Sequence, residues 1–255
     1  MPPPATEPFL RAVRLREFPA EQPTSAGFPW SIPAVRALHE APLALHPRCT
    51  FLVGANGSGK STILEAIAVA AGLGVGSGGR NFAGDGRADE RSLGEELTLV
   101  RGARRPKTDF FLRAEAMLGF ATRLDEMERE PFGSGALDAY GGRSLHEQSH
   151  GESFLSVINH RLGPNGLYLL DEPESALSPQ SLLALLARMA DLVAAGCQFI
   201  VATHAPILLA FPDAQIVEVS EDGLAPITFD DVEAVRLTRL VLDDPAGMMR
   251  RLLDT

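Results

Sequence analysis

An apolar run, Cys49 to Val53, leads into Gly54-Ala55-Asn56-Gly57-Ser58-Gly59-Lys60-Ser61, with Thr62 directly after it. The spacing Gly-x-x-x-x-Gly-Lys-Ser constrains the fold more than any other feature, because each residue type in it has a physical task. Residues 49 to 53 read as a buried strand, and Ile63, Leu64, Ile67 and Ala68 recur at helical spacing between Lys60 and Ala71. The glycines therefore form a turn from strand to helix. Lacking side chains, they let backbone N–H groups curl around phosphate oxygens while the positive end of the helix dipole faces the same anion. Lys60 is expected to reach the β and γ phosphates of a nucleoside triphosphate, and Ser61 to place its hydroxyl on magnesium. A plain glycine-rich turn would explain the glycines but not Lys60 and Ser61 in register behind a strand.

Short β-type runs alternate with helical ones, which predicts an α/β sheet with parallel strands. Strands are expected at Cys49 to Val53, Leu167 to Leu170, Gln198 to Ala202 and Gln215 to Val219. A helix is expected after Ser178, its N-cap, with Pro179 in the first turn and Gly196 closing it. Its buried stripe reads as Leu182, Leu185, Leu186, Met189 and Val193. Phe110 to Leu112 and Ala114 to Phe120 suggest a strand running into a helix, and 72 to 94 reads as a loop. Asp230 to Leu253 reads as one or two amphipathic helices broken at Pro245.

The apolar strand Leu167 to Leu170 delivers Asp171 and Glu172 to its C-terminal end, where ligands collect in open α/β sheets. Asp171 is placed to hold magnesium through its outer shell, and Glu172 to polarise a water in line with the γ phosphate. A bare strand end would also suit Asp-Glu-Pro, but the phosphate loop gives these carboxylates a reaction to serve. Thr203-His204-Ala205-Pro206 follows the strand 198 to 202, so His204 also ends a strand, and it can hydrogen-bond the γ phosphate or the attacking water. Gln148-Ser149-His150-Gly151-Glu152-Ser153 precedes the apolar helical run Phe154, Leu155, Val157, Ile158. Ser149 and Glu152 fit a capping box. Ser149 and Gly151 at a helix N-terminus also fit an anion site. Both readings stand together.

Composition narrows the setting. With 255 residues, 45% of them hydrophobic, the chain can bury a full core, which predicts one domain over 1–255. The uncharged stretch Ala66 to Gly79 is too short and too glycine-rich to span a bilayer, and no apolar signal segment opens the chain. A soluble, cytoplasmic protein without direct membrane insertion is the expectation. Cys49 and Cys197 read as buried small hydrophobes, which suits a reducing compartment. A formal charge of −10 disfavours a surface that coats nucleic acid. The cluster Arg101, Arg104, Arg105 and Lys107 leaves a local nucleic-acid contact open but reads first as an exposed loop, as does Arg80.

The order phosphate loop, Ser149-His150-Gly151-Glu152, Asp171-Glu172, Ser175-Ala176-Leu177-Ser178, His204 resembles the ATP-binding-cassette (ABC) ATPases over roughly residues 10 to 220. The compact form looks most like the small ATPases grouped with recombination- and repair-type (RecF/SMC-like) cassette proteins. The resemblance implies a P-loop NTPase with a mixed sheet flanked by helices, a small helical signature subdomain over about 110–162 and C-terminal helices over about 229–254. It implies an ATP hydrolase using ATP and Mg2+, cofactor contacts from Gly54 through Thr62, and catalytic roles for Lys60, Glu172 and His204. Ser61 and Asp171 would serve the metal. It further implies an ATP-dependent, head-to-tail homodimer in which Ser149 and Gly151 act on the nucleotide of the second copy, and an unidentified partner protein driven by the cycle.

Departures from the family pattern keep alternatives open. The family places a glutamine between phosphate loop and signature, yet no Gln occurs between Lys60 and Glu147, and Glu115 is the best substitute. His150 and Glu152 replace the Gly and Gln of transport subunits, and the span from Lys60 to Ser149 is too short for a long coiled-coil arm. A slow nucleotide-dependent switch, or the ATP-binding subunit of a membrane transporter, are the competing readings. Phe28 and Trp30 are candidates to stack on adenine or to cover the core edge.

Overall fold

A six-stranded mixed sheet carries the phosphate loop at its centre in the computed structural model, which describes residues 7–16, 27–74, 93–129, 135 and 137–253. In chain order the strands are β1 (Leu10–Leu15), β2 (Leu43–Ala44), β3 (Cys49–Val53), β4 (Leu97–Arg101), β5 (Thr108–Arg113), β6 (Gly166–Asp171), β7 (Gln198–Ala202), β8 (Gln215–Ser220) and β9 (Gly223–Pro226). The main helices are α1 (Pro33–Glu40), α2 (Lys60–Ala71), α3 (Met117–Glu128), α4 (His150–Arg161), α5 (Pro179–Ala194), α6 (Pro206–Leu209), α7 (Glu233–Asp243) and α8 (Pro245–Leu253). The large sheet has the order β5-β6-β7-β3-β8-β9, parallel throughout except for the antiparallel edge strand β9. A second, antiparallel sheet, β2-β1-β4, lies outside the strands expected from the sequence. Arg80 and most of the expected loop at 72 to 94 lie outside the described residues.

The sheet buries both faces, as parallel sheets do. Strand periodicity sorts alternate residues to opposite sides. Phe51, Val53, Tyr168, Leu170, Phe199 and Val201 enter one core with α3, α4 and α5, while Leu52, Leu167, Leu169, Ile200 and Ala202 enter the other with α1, α2 and the small sheet. Helix α2 is buried almost all round: Ile63, Leu64, Ala66, Ile67 and Ala68 are inaccessible, and so is Glu65 at 2% exposure. Helix α5 starts as expected, with the Ser178 hydroxyl accepting from the Ser181 N–H, and buries Leu182, Leu185, Met189 and Leu192. The C-terminal helices break at Pro245.

Gln198 holds the two sheets together. Its side-chain oxygen accepts from the Leu10 N–H at 2.9 Å, and its amide donates to the carbonyls of Leu10 at 2.7 Å and His46 at 3.0 Å. Both Leu10 bonds are buried, so removing the side chain leaves two buried backbone groups unsatisfied, each costing about 1–3 kcal/mol. Gln198→Ala is therefore expected to destabilise by at least about 2 kcal/mol, read as a lower denaturation midpoint, with nucleotide affinity unchanged.

Between β5 and β6 the chain forms α3 and α4, linked by single 3-10 turns at Leu137–Tyr140 and Leu145–Glu147. Phe120 packs edge-on against Phe110 (5.9 Å between ring centres) and Tyr140 (5.4 Å), anchoring this segment to β5. Cys49 and Cys197 are buried free thiols, and no helix among the described residues is long and apolar enough to cross a membrane.

Candidate functional site

The phosphate loop joins β3 to α2 through two glycines that no other residue could replace. At Gly54 (φ 141°) a Cβ would meet the Val219 carbonyl oxygen at 2.1 Å, and at Gly59 (φ 104°) it would meet Ile32 Cγ2 at 2.6 Å. Both positions need the left-handed backbone and the missing side chain. Gly59 is the N-cap of α2, so the helix begins at Lys60 with no side-chain cap and its first N–H groups turned to the loop. Lys60 is 3% exposed and its ammonium donates to the carbonyls of Gly54 (3.1 Å) and Ala55 (2.9 Å). Burial pulls its pKa down, against the opposing pull of Glu172, Asp171 and Glu174.

Parallel pairing brings the acidic residues to this loop. Asp171 stands in register with Arg113 of β5 and Ala202 of β7, at the C-terminal ends of three adjacent strands. One Asp171 oxygen accepts the Ser61 hydroxyl at 2.9 Å and the other lies 3.5 Å from Arg113 Nε. Asp171 is 2% exposed, and its pKa rises to about 6, chiefly because burial penalises the charge and further because Glu172 and Glu115 are near; Ser61 and Arg113 act against the rise. A carboxylate so placed gains from a nearby cation.

Glu172 adopts a left-handed backbone (φ 46°), a conformation costing about 1–3 kcal/mol that often marks functional positions. Its N–H donates to the Ala202 carbonyl at 2.9 Å, and its carboxylate lies 3.6 Å from His204 Nε2. Thr203 N–H donates to the Leu52 carbonyl, which joins the ends of β7 and β3. The His204 N–H in turn donates to the Glu174 carboxylate. Glu172 and His204 thus meet, as their strand positions predict, beside the phosphate loop. Glu174, unassigned from the sequence, positions the histidine backbone; its place one residue past Pro173 was the available signal.

Ser58 Oγ, His204 Nε2 and the second Glu174 oxygen are buried without a hydrogen-bond partner among the described residues. A cavity of about 980 Å3 opens against this edge of the loop, bounded by Gly54, Gly57, Ser58, His204, Glu218 and Leu237. The donor set suits a triphosphate with magnesium. Backbone N–H groups and Lys60 would serve anionic oxygens, and one hydroxyl with one carboxylate, Ser61 and Asp171, would suit a cation that takes its other ligands from phosphates and water. No cluster of three or more His, Cys, Asp or Glu that could hold a metal by itself occurs among the described residues.

Ser149 and Gly151 stand apart from this constellation. Ser149 caps α4 in the full capping box: its hydroxyl accepts from the Glu152 N–H at 3.4 Å and donates to the Glu152 carboxylate at 2.7 Å, while its N–H donates to that carboxylate at 2.9 Å. A Cβ on Gly151 would touch the Ala176 carbonyl at 3.2 Å, so the start of α4 packs beside the loop after Glu172. Glu115 is exposed and faces Arg113 at 3.3 Å, the same guanidinium that faces Asp171. Neither aromatic candidate lines the cavity: Phe28 is exposed and Trp30 packs against the α2 core. At the opposite end of the sheet, Arg104 bonds Asn165 at 2.6 Å and covers the Phe9 ring, and Arg105 bonds the Gly102 carbonyl. Those cations hold the fold together away from the phosphate loop.

Residues 49–113 and 135–210 match the family described as "AAA domain, putative AbiEii toxin, Type IV TA system". The chain belongs to this AAA-domain family. No curated protein matches the chain by sequence. Similar solved structures include an inward-facing "putative metal-chelate type ABC transporter" (16% identity, 93% of this chain and 89% of that one, TM-score 0.49). The SMC head domain from Thermotoga maritima is another (17% identity, 74% and 93%, TM-score 0.40), as is an ATP-binding subunit of an ABC transporter (18%, 92% and 98%, TM-score 0.43). The AAA domain described here has the phosphate loop and the mixed, largely parallel sheet that its sequence implied.

Proposed function

We propose that this AAA domain binds Mg-ATP along Gly54 to Thr62 and hydrolyses it, and that two copies enclose each nucleotide. One observation carries the reading: Lys60, Ser61, Asp171, Glu172 and His204 converge on the strand ends around one loop, with Ser61 bonded to Asp171 and His204 beside Glu172. Lys60 would exchange the loop carbonyls for β and γ phosphate oxygens. Ser61 and Asp171 would hold magnesium, which supplies charge neutralisation and orientation of the phosphates when bound. Glu172 would accept the proton of the attacking water, and His204, its ring nitrogen 3.6 Å away, would orient that water or the γ phosphate. Ser149 and Gly151 of a second copy would complete the site from the N-terminus of α4. Such a cycle, run in the cytoplasm, would drive a partner protein, and the formal charge of −10 disfavours nucleic acid as its target.

One observation supports the slower switch instead. The Ser149 hydroxyl is already engaged with Glu152, so it must leave its capping box to meet a phosphate. Phosphate release measured against protein concentration, with Mg2+ and with a chelator, separates the two. Hydrolysis in a dimer predicts Mg2+-dependent release whose rate per chain rises with protein concentration. Release equal to buffer at every concentration removes hydrolysis and leaves the switch.

A further inference from the structure

Arg113, which the sequence reading passed over in favour of Glu115, is the point where three separate elements meet. It ends β5, in register with Asp171. Its guanidinium faces Glu65 from the buried side of α2, Asp171 at the end of β6, and Glu115 at the root of the helical segment. A planar fork with several fixed donors can hold three carboxylates in one relative orientation, which a lysine's point charge cannot. Glu65 is 2% exposed on the helix that presents Lys60 and Ser61. A charge buried there is costly unless paired, and Arg113 supplies that pair. Asp171 has its two oxygens divided between Ser61 and Arg113.

We infer that Arg113 is a positioning residue of the metal site: it turns one Asp171 oxygen to Ser61 and locks that carboxylate to the phosphate-loop helix through Glu65. The inference rests on the Mg-ATP reading and adds to it a residue that touches neither nucleotide nor metal. Partners of this kind set metal affinity, and losing one typically costs about 10–100-fold.

The test is a Mg2+ titration of fluorescent-ATP binding, with binding in chelator as the reference. Arg113→Gln is expected to raise the half-saturating Mg2+ concentration about tenfold or more while leaving chelator-state binding within twofold of wild type. Arg113→Lys should recover part of that shift, since it restores the charge but not the fork. Arg113→Gln strands the buried Glu65, so Glu65→Gln/Arg113→Gln, which removes both charges together, undergoes the same titration and should show the same shift. Superimposable wild-type and variant curves, in whichever of these proteins melts cooperatively, overturn the inference. If the wild type binds nucleotide with no response to Mg2+, the Mg-ATP reading itself fails and takes this one with it; the two failures differ in which protein reveals them.

Discussion

Replacing Lys60 with alanine is expected to abolish measurable nucleotide binding. Its ammonium is buried at the start of α2 and within Coulombic reach of Glu172, Asp171 and Glu174, so it offsets three carboxylates in a place where ATP must bring several more negative charges. Hydrogen bonds to charged groups contribute about 1.5–3 kcal/mol each, and losing two of them weakens binding about a hundredfold or more. The folded state should survive, because the loop carbonyls that Lys60 engages gain access to water and the glycine turn does not depend on its side chain. Calorimetric titration with Mg-ATP, beside a thermal melt, reads both halves. A Lys60→Ala protein that melts like wild type and binds within twofold of it would exclude this loop as the nucleotide site.

The sequence made most of this site legible because its parts are local. Gly54 to Ser61 encode their own turn, and helix α2 spans Lys60–Ala71, as its spacing required. Strands β3 and β7 begin and end where the apolar runs do, because strands buried on both faces read as unbroken hydrophobic stretches. The small antiparallel sheet was harder to see. In β1, Arg11 and Arg14 interrupt Leu10, Val13 and Leu15, a half-exposed pattern that fits neither period cleanly, and β2 is only Leu43–Ala44. Contacts that depend on strand order were harder still. Arg113 and Asp171 are neighbours only because β5 pairs with β6, and Glu65 meets Arg113 only because α2 crosses that end of the sheet. A reading by position along the chain therefore chose Glu115, two residues away, whose carboxylate faces solvent. The same limit applies to Gln198, whose bonds to Leu10 join segments 188 residues apart.

Glu172→Gln is expected to keep nucleotide binding and lower phosphate release about a hundredfold to ten-thousandfold, the range over which a positioned base contributes. The amide keeps the size and hydrogen-bonding reach of the carboxylate beside His204 but cannot take a proton from water. The left-handed backbone at 172 is set by its N–H bond to Ala202 and by the turn into Pro173, so the substitution should leave the loop in place. Electrostatics push binding in the favourable direction: Glu172 is one of the groups that raise the Asp171 pKa, and its neutralisation eases ionisation of the carboxylate assigned to magnesium. Bound ATP that is not consumed should then accumulate a two-copy species, visible as an ATP-dependent shift in size-exclusion with light scattering. If release stays at the wild-type rate, Glu172 is not the base, and Glu174, with one buried oxygen lacking a partner and the other on the His204 N–H, becomes the carboxylate to replace next. Release that falls with no two-copy species would keep the base and remove the enclosing second copy, which separates the chemistry of this loop from its assembly.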